Sequence, residues 1–263
     1  MVATLCSTGI IWEDKDSNFL NLESLFSSFS FDTDLVILPE MFSTGFTMNH
    51  SMSESIQDSR TLKWMQDMAL RHNFALVGSF PVSIKDNISE VNYIVNRAFF
   101  VLPDGSFKFY DKRHLFRMGE ENTHYSPGQE KCIVEYKGVR FALNICYDLR
   151  FPVWSRNISN EYDVLINVAN FPASRVKVIE PLCKARAIEN LSYMLFVNRT
   201  GTDPQCSYVE SSFAVDFKGE NIGDVQNCSG VSVKNADIDI VALRSFREKF
   251  PAWMDADKFG IML

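Results

Sequence analysis

The chain has 263 residues, 46% hydrophobic and 22% charged, which is enough apolar material to bury the core of one large domain or two small ones. A net charge of −7 argues against a general nucleic-acid or anionic-membrane surface, which needs clustered Lys and Arg, but leaves room for a small anionic substrate held by one or two local arginines. No apolar stretch approaches the roughly 20 residues of a spanning helix. The opening Met1-Val2-Ala3-Thr4-Leu5-Cys6 lacks the basic and long apolar regions of an export signal, so the cytoplasm is the expected compartment.

Along the chain, apolar runs predict strands at 2–11, 35–39, 74–80, 93–102, 107–110, 132–136, 139–145, 164–168, 194–197, 212–216 and 238–242. Apolar spacings of three and four predict helices over 17–28 and 59–72, and a segment rich in Ala, Leu, Lys, Arg and Glu predicts one over 180–192. Pro103-Asp104-Gly105 and Lys218-Gly219 read as hairpin turns. Alternating strand and helix signals argue for an α/β fold with helices on sheet faces, and strands apolar at consecutive positions belong in sheets covered on both sides. No low-complexity segment or linker divides the chain, so 1–263 reads as a single domain.

Six cysteines are scattered at 6, 132, 146, 183, 206 and 228 without a C-x-x-C pair, which favours reduced thiols and gives no support to a structural zinc site. Of these, Cys146 stands out. The run from Val139 to Ile145 delivers it to Tyr147-Asp148-Leu149-Arg150-Phe151-Pro152, an abrupt change to charge and proline. Glu40 ends Leu35-Val36-Ile37-Leu38-Pro39, and Lys112 follows Phe107-Lys108-Phe109-Tyr110. Acid, amine and thiol each lie just past an apolar strand, which suggests one converging site. A free thiol is mostly protonated at neutral pH, so a nucleophilic cysteine needs a base or a cation beside it. A carboxylate accepts the proton and returns it to a leaving amine; an ammonium, helped by the N–H of Tyr147, stabilises an oxyanion. That is acyl transfer on a C–N bond.

Leu38-Pro39-Glu40, Asp111-Lys112-Arg113-His114-Leu115-Phe116 and Asn144-Ile145-Cys146-Tyr147-Asp148-Leu149-Arg150-Phe151-Pro152 resemble, in order and spacing, the three signature segments of the nitrilase superfamily of carbon–nitrogen hydrolases. Asn167-Val168-Ala169-Asn170-Phe171-Pro172, Ala185-Arg186-Ala187-Ile188-Glu189-Asn190 and Asn198-Arg199-Thr200-Gly201 resemble its later segments. The resemblance covers nearly the whole chain. It implies a four-layer αββα sandwich of the nitrilase type and a Glu40–Lys112–Cys146 triad. Glu40 is then general base and acid, Lys112 oxyanion stabiliser, Cys146 nucleophile, and no metal or organic cofactor is required. A second glutamate that positions the lysine or substrate maps to Glu121, with Glu120 as its neighbour and alternative.

Glu40 to Met48 and Phe151 to Asn157 resemble the bacterial omega-amidase branch, which hydrolyses the terminal amide of 2-oxoglutaramate or 2-oxosuccinamate to the 2-oxo acid and ammonia. Nitrilases and carbamoyl hydrolases share the triad, and a non-catalytic binding protein on the same fold is a further alternative. Phe171 and Ile179 replace a frequent Trp, and the glycine usual after Asp203 is absent. Phe42, Phe46, Trp154, Asn170 and Phe171 are candidates to line the pocket, and Arg175 to grip a substrate carboxylate. Asp148 and Arg150 are expected to form a local ion pair, His114 to be a structural hydrogen-bonding residue, and the other five cysteines to be inert. The resemblance also implies a homodimer. Phe250, Trp253, Phe259, Ile261 and Leu263 in a short tail need burial, either at that interface (246–263) or within the subunit.

Overall fold

The computed structural model describes residues 1–85 and 92–261. In chain order the strands and helices are β1 (Val2–Ser7), α1 (Lys15–Ser27), β2 (Leu35–Ile37), β3 (Glu54–Ser55), α2 (Arg60–His72), β4 (Ala75–Lys85), β5 (Asn92–Val101) and β6 (Phe107–Asp111). They continue as α3 (Glu121–His124), β7 (Ile133–Tyr136), β8 (Val139–Ile145), α4 (Pro152–Ser155), β9 (Val164–Ala169), α5 (Ile179–Asn190) and β10 (Tyr193–Asn198). The last are β11 (Gly201–Thr202), β12 (Ser207–Tyr208), β13 (Phe213–Val215), β14 (Asp224–Cys228), β15 (Val231–Asp237) and α6 (Ile240–Lys249).

Two sheets carry the architecture. The first runs β14-β15-β1-β2-β4-β5-β6, with β3 attached to β4; the second runs β13-β10-β9-β8-β7. Strands β1, β2 and β4 are mutually parallel, as are β8, β9 and β10. Two antiparallel pairings separate β4 from β6, so β6 points the same way as β2. Because side chains alternate across a strand, each sheet has two apolar faces. Leu5, Ile37, Val77 and Phe100 meet Phe141, Ile145, Ile166 and Leu195 between the sheets. Cys6, Val36, Leu76 and Phe99 pack outward under Phe19, Leu22 and Phe26 of α1 and Leu62, Met65 and Met68 of α2. Leu165, Met194 and Phe196 face Ile179, Cys183 and Ala187 of α5. The layers are therefore helix, sheet, sheet, helix, as expected from the resemblance.

Caps set the helix starts. Asp14 accepts the Ser17 N–H at 3.0 Å and Ser59 accepts that of Leu62 at 3.0 Å, while α2 stops at Asn73 in the left-handed region. The segment read as a strand over 238–242 is corrected: Asp239 caps the Ala242 N–H at 2.9 Å and begins α6. The strand there is β15, with its hairpin partner β14. Both were missed because β14 is a largely exposed, polar edge that carries no apolar run. Among the described residues no helix is long and apolar enough to cross a membrane.

Candidate active site

Glu40, Lys112, Cys146, Asn170 and Arg199 each follow the carboxyl end of a strand: β2, β6, β8, β9 and β10. The first two come from one sheet and the rest from the other. All these strand ends open at one end of the sandwich, the usual place for a site in parallel α/β sheets.

The structure brings Glu40, Lys112 and Glu121 into contact, each wholly buried. Lys112 Nζ lies 2.7 Å from Glu40 Oε1 and 3.0 and 2.9 Å from the two carboxylate oxygens of Glu121. The Phe46 ring covers the ammonium with its centroid at 5.2 Å. Glu121 is fixed from behind by the Phe116 N–H, 2.6 Å from Oε2. Glu120 is exposed and serves as the left-handed cap of α3, which decides between the two glutamates. Asn170 orients Glu40: its N–H donates to Oε2 at 2.9 Å and its Nδ2 to the Glu40 carbonyl at 2.8 Å. The lysine's own backbone is pinned by the Gly128 N–H at 2.9 Å from its carbonyl. A Cβ at Gly128 would come within 2.1 Å of the Asp111 carbonyl oxygen, so only glycine fits there.

Cys146 sits at φ +46°, in the left-handed region, as does Met41 beside Glu40. Non-glycine residues held this way cost on the order of 1–3 kcal/mol and cluster at functional sites. Asp148, wholly buried, holds the turn after the thiol. Its Oδ2 accepts from Ile145 N at 3.0 Å and Tyr110 OH at 2.7 Å, and its Oδ1 from His114 N at 2.9 Å. His114 Nδ1 lies 2.7 Å from the same Oδ1 and its ring stacks on Phe151 at 3.7 Å, which is the structural role expected of it. The expected Asp148–Arg150 ion pair does not form. Residues two apart on a helical turn do not face each other, and Arg150 leaves on the pocket side.

Burial and the neighbouring Glu40 push the Cys146 thiol well above its ordinary pKa, outweighing Lys112 and the Asn170 N–H. Burial alone would lower Lys112, but Glu121 and Glu40 together raise it, so it stays an ammonium. Burial raises Glu121, with Lys112 and the Phe116 N–H opposing. The resting thiol is therefore neutral, and not a ready-made thiolate.

Cys146 and Lys112 open onto a cavity of about 260 Å³. Phe46, Phe116, Tyr147 and Phe171 wall it, and Asn170 borders it. Arg150 and Arg175 reach its edge, resting over Phe171 (5.9 Å) and Phe116 (4.6 Å), and neither has an acidic partner among the described residues. Two expected lining residues are corrected. Phe42 packs on Trp64 and over Gly78 in the core beneath α1 and α2. Trp154 is buried between the sheets, with Nε1 donating to Tyr110 OH at 2.9 Å. Sequence reasoning missed Arg150 as a wall, and also Asp203, Cys206 and Tyr208 of the β11–β12 hairpin. It missed Asn96, whose only signal is a polar residue inside the apolar run 94–101. A larger groove of about 970 Å³ beside β6 and β7 contains none of the charged cluster.

A fold of two stacked sheets with acid, amine and thiol at their shared end defines a carbon–nitrogen hydrolase. The family model for carbon-nitrogen hydrolases matches residues 2–248, and the chain belongs to that family. It is a hydrolase acting on amide bonds. The omega-amidase YafV of Escherichia coli strain K12 is 40% identical over 259 residues, 98% of this chain and 97% of that one. The 2-oxoglutaramate amidase of Bacillus subtilis is 29% identical over 252 residues, 95% of each chain. The crystal structure of XC1258 from Xanthomonas campestris, a CN-hydrolase superfamily protein with an arsenic adduct in its active site, matches with a TM-score of 0.89. It is 34% identical, covering 100% of this chain and 99% of that one.

Proposed function

We propose that this enzyme hydrolyses the terminal amide of a small 2-oxo acid monoamide, 2-oxoglutaramate or 2-oxosuccinamate, through a thioester on Cys146. The observation that carries the reading is the cavity itself: about 260 Å³, with Cys146 and Lys112 in its wall and, at its edge, two arginines that have no acidic partner among the described residues. That volume suits a five- or four-carbon acid, and Arg150 and Arg175 suit its carboxylate end. Likeness to omega-amidases supports the same choice.

Glu40, beside the thiol and fixed by Lys112 and Asn170, takes the thiol proton as sulfur attacks the amide carbon. The new C–S bond pushes the carbonyl electrons onto oxygen, where Lys112 and the Tyr147 N–H receive the charge; that N–H opens the turn 146–150 and has no intrahelical partner. Glu40 returns its proton to nitrogen, the C–N bond breaks and ammonia leaves. Water, deprotonated by Glu40, then attacks the thioester and releases the 2-oxo acid and the thiol. Glu121, which meets Lys112 Nζ with both carboxylate oxygens, serves to hold Lys112 in place.

The test is mass spectrometry of the protein mixed with a panel of small amides, a nitrile and an N-carbamoyl amino acid, alongside ammonia release. The expected result is an acyl adduct on Cys146 from the 2-oxo acid amides, with release abolished in Cys146→Ala. Turnover by Cys146→Ala sinks the mechanism, and an adduct only from the nitrile or carbamoyl compound sinks the substrate. The same reading includes a cytoplasmic homodimer. In one chain Phe246 packs on Phe217 at 5.0 Å, but Phe250, Phe259 and Ile261 stay exposed at 54%, 43% and 38%, surface that a second copy would cover. Trp253 is half-buried, and Leu263 lies outside the described residues. Sedimentation of the purified chain as a monomer at micromolar concentration would remove the dimer.

A further inference from the structure

Asn96 stands in the middle of β5, wholly buried, on the same face of the strand as the apolar Ile94 and Ala98. A buried amide in an apolar strand costs stability unless it is hydrogen-bonded. Here its Nδ2 donates to Glu40 Oε1 at 2.8 Å and to Glu121 Oε1 at 3.3 Å. Both oxygens also accept from Lys112 Nζ, at 2.7 and 3.0 Å. The Asn96 carbonyl accepts the Lys112 N–H at 2.9 Å. One residue thus touches every charged member of the cluster. The orientation of its amide is fixed by chemistry, because two carboxylates accept and only the NH2 group donates. The carbonyl oxygen of the side chain is left without a partner among the described residues.

We infer that Asn96 is a positioning residue that keeps both glutamates as unprotonated acceptors around a single ammonium, and so holds Glu40 competent to receive the Cys146 proton at neutral pH. Two carboxylates this close share a proton unless donors stabilise the charged form of each. Lys112 supplies one positive charge for two acids, and Asn96 supplies the remaining pair of N–H donors without adding charge. The groups facing Glu40 are Lys112 from the end of β6, Glu121 from α3, the Cys146 thiol from β8 and the Asn170 N–H from β9. The Tyr125 phenol stands further off, bonded to the Thr47 carbonyl at 2.7 Å. None of these except Asn96 donates to both acids and carries no charge of its own. Asn96 does not line the cavity, so it acts on substrate only through the glutamates.

The inference rests on Glu40 being the base, and its test therefore includes a readout that needs no substrate. Asn96→Leu removes both donors at a similar size without adding a charge, and Asn96→Ser keeps a single hydroxyl donor. Two profiles are measured against pH for each folded variant: kcat/KM for amide hydrolysis, and the rate of Cys146 alkylation by iodoacetamide read by mass spectrometry. Loss of a donor destabilises the carboxylate and raises the pH at which it forms. The acidic limb of both profiles is expected to move up by about one to two pH units in Asn96→Leu, the size of one lost charge-assisted hydrogen bond. A smaller shift is expected in Asn96→Ser, with KM little changed in both. Limbs that stay in place while rates fall uniformly would show a structural role only and overturn the inference. A shifted alkylation profile with no amide turnover in any form, wild type included, would uphold Asn96 and sink the substrate reading alone.

Discussion

Two fully buried carboxylates invite comparison, Glu40 at the open end of the sandwich and Asp163 at the start of β9. Asp163 is met by two arginines: Arg247 Nη1 at 2.7 Å, and Arg140 through its side chain at 3.2–3.3 Å and its N–H at 3.0 Å. Arg247 spends its other donors on the Leu191 and Tyr162 carbonyls, both at 2.8 Å. That cluster has more cation than acid, and it fastens α6 to the second sheet. The Glu40 cluster is the reverse. It has two acids to one amine, a thiol within reach and a cavity in front. A buried acid outnumbered by cations is a rivet; one that shares a single cation with a second acid, beside a nucleophile, retains the capacity to take a proton.

The sharpest way to break this contrast is Glu40→Gln. It keeps the shape, removes one of two crowded negative charges and abolishes the base, so kcat should fall about 10²–10⁴-fold while thermal stability holds or rises. Asp163→Ala should do the opposite. Stranding the buried Arg247 guanidinium, with the partly exposed Arg140 turning to water, should cost about 3 kcal/mol in urea denaturation, with the activity of each folded molecule retained. Similar stability losses in both variants would erase the distinction. Arg150→Ala and Arg175→Ala are expected to raise KM for a 2-oxo acid amide about tenfold each, from loss of a charge-assisted hydrogen bond, with little effect on an amide lacking the carboxylate. Equal effects on both substrates would remove the arginines from recognition.

The strand-end placement of Glu40, Lys112 and Cys146 was legible in the sequence, because each stands where an apolar run ends and the carboxyl ends of parallel strands are where α/β folds expose side chains; the roles given to them came from the family resemblance. Phe42 and Trp154 were misplaced because proximity in sequence does not say which face a side chain leaves by. Phe42 lies two residues past Glu40 yet points under the helices, where Gly78 leaves room for its ring. Asn96 was illegible because a polar residue within an apolar run looks like an interruption until its partners arrive from residues 56 and 25 positions away. The hairpin β14–β15 and helix α6 were lost for a related reason: an exposed edge strand needs no apolar pattern, and Asp239 starts a helix where an apolar pair suggested a strand.

The acid and the amine ride on one sheet and the thiol on the other, and the sheets are joined by apolar packing with a few polar bonds near the site, Tyr110 to Asp148 and Asn170 to Glu40 among them. On the proposed mechanism, the gap the proton crosses is a gauge of how the two sheets are seated. Substitutions at Phe100 or Phe141, whose rings meet at 5.3 Å between the sheets, would register first as a mistuned reaction. On warming, the enzyme should fall silent through slippage of its two halves before it comes apart.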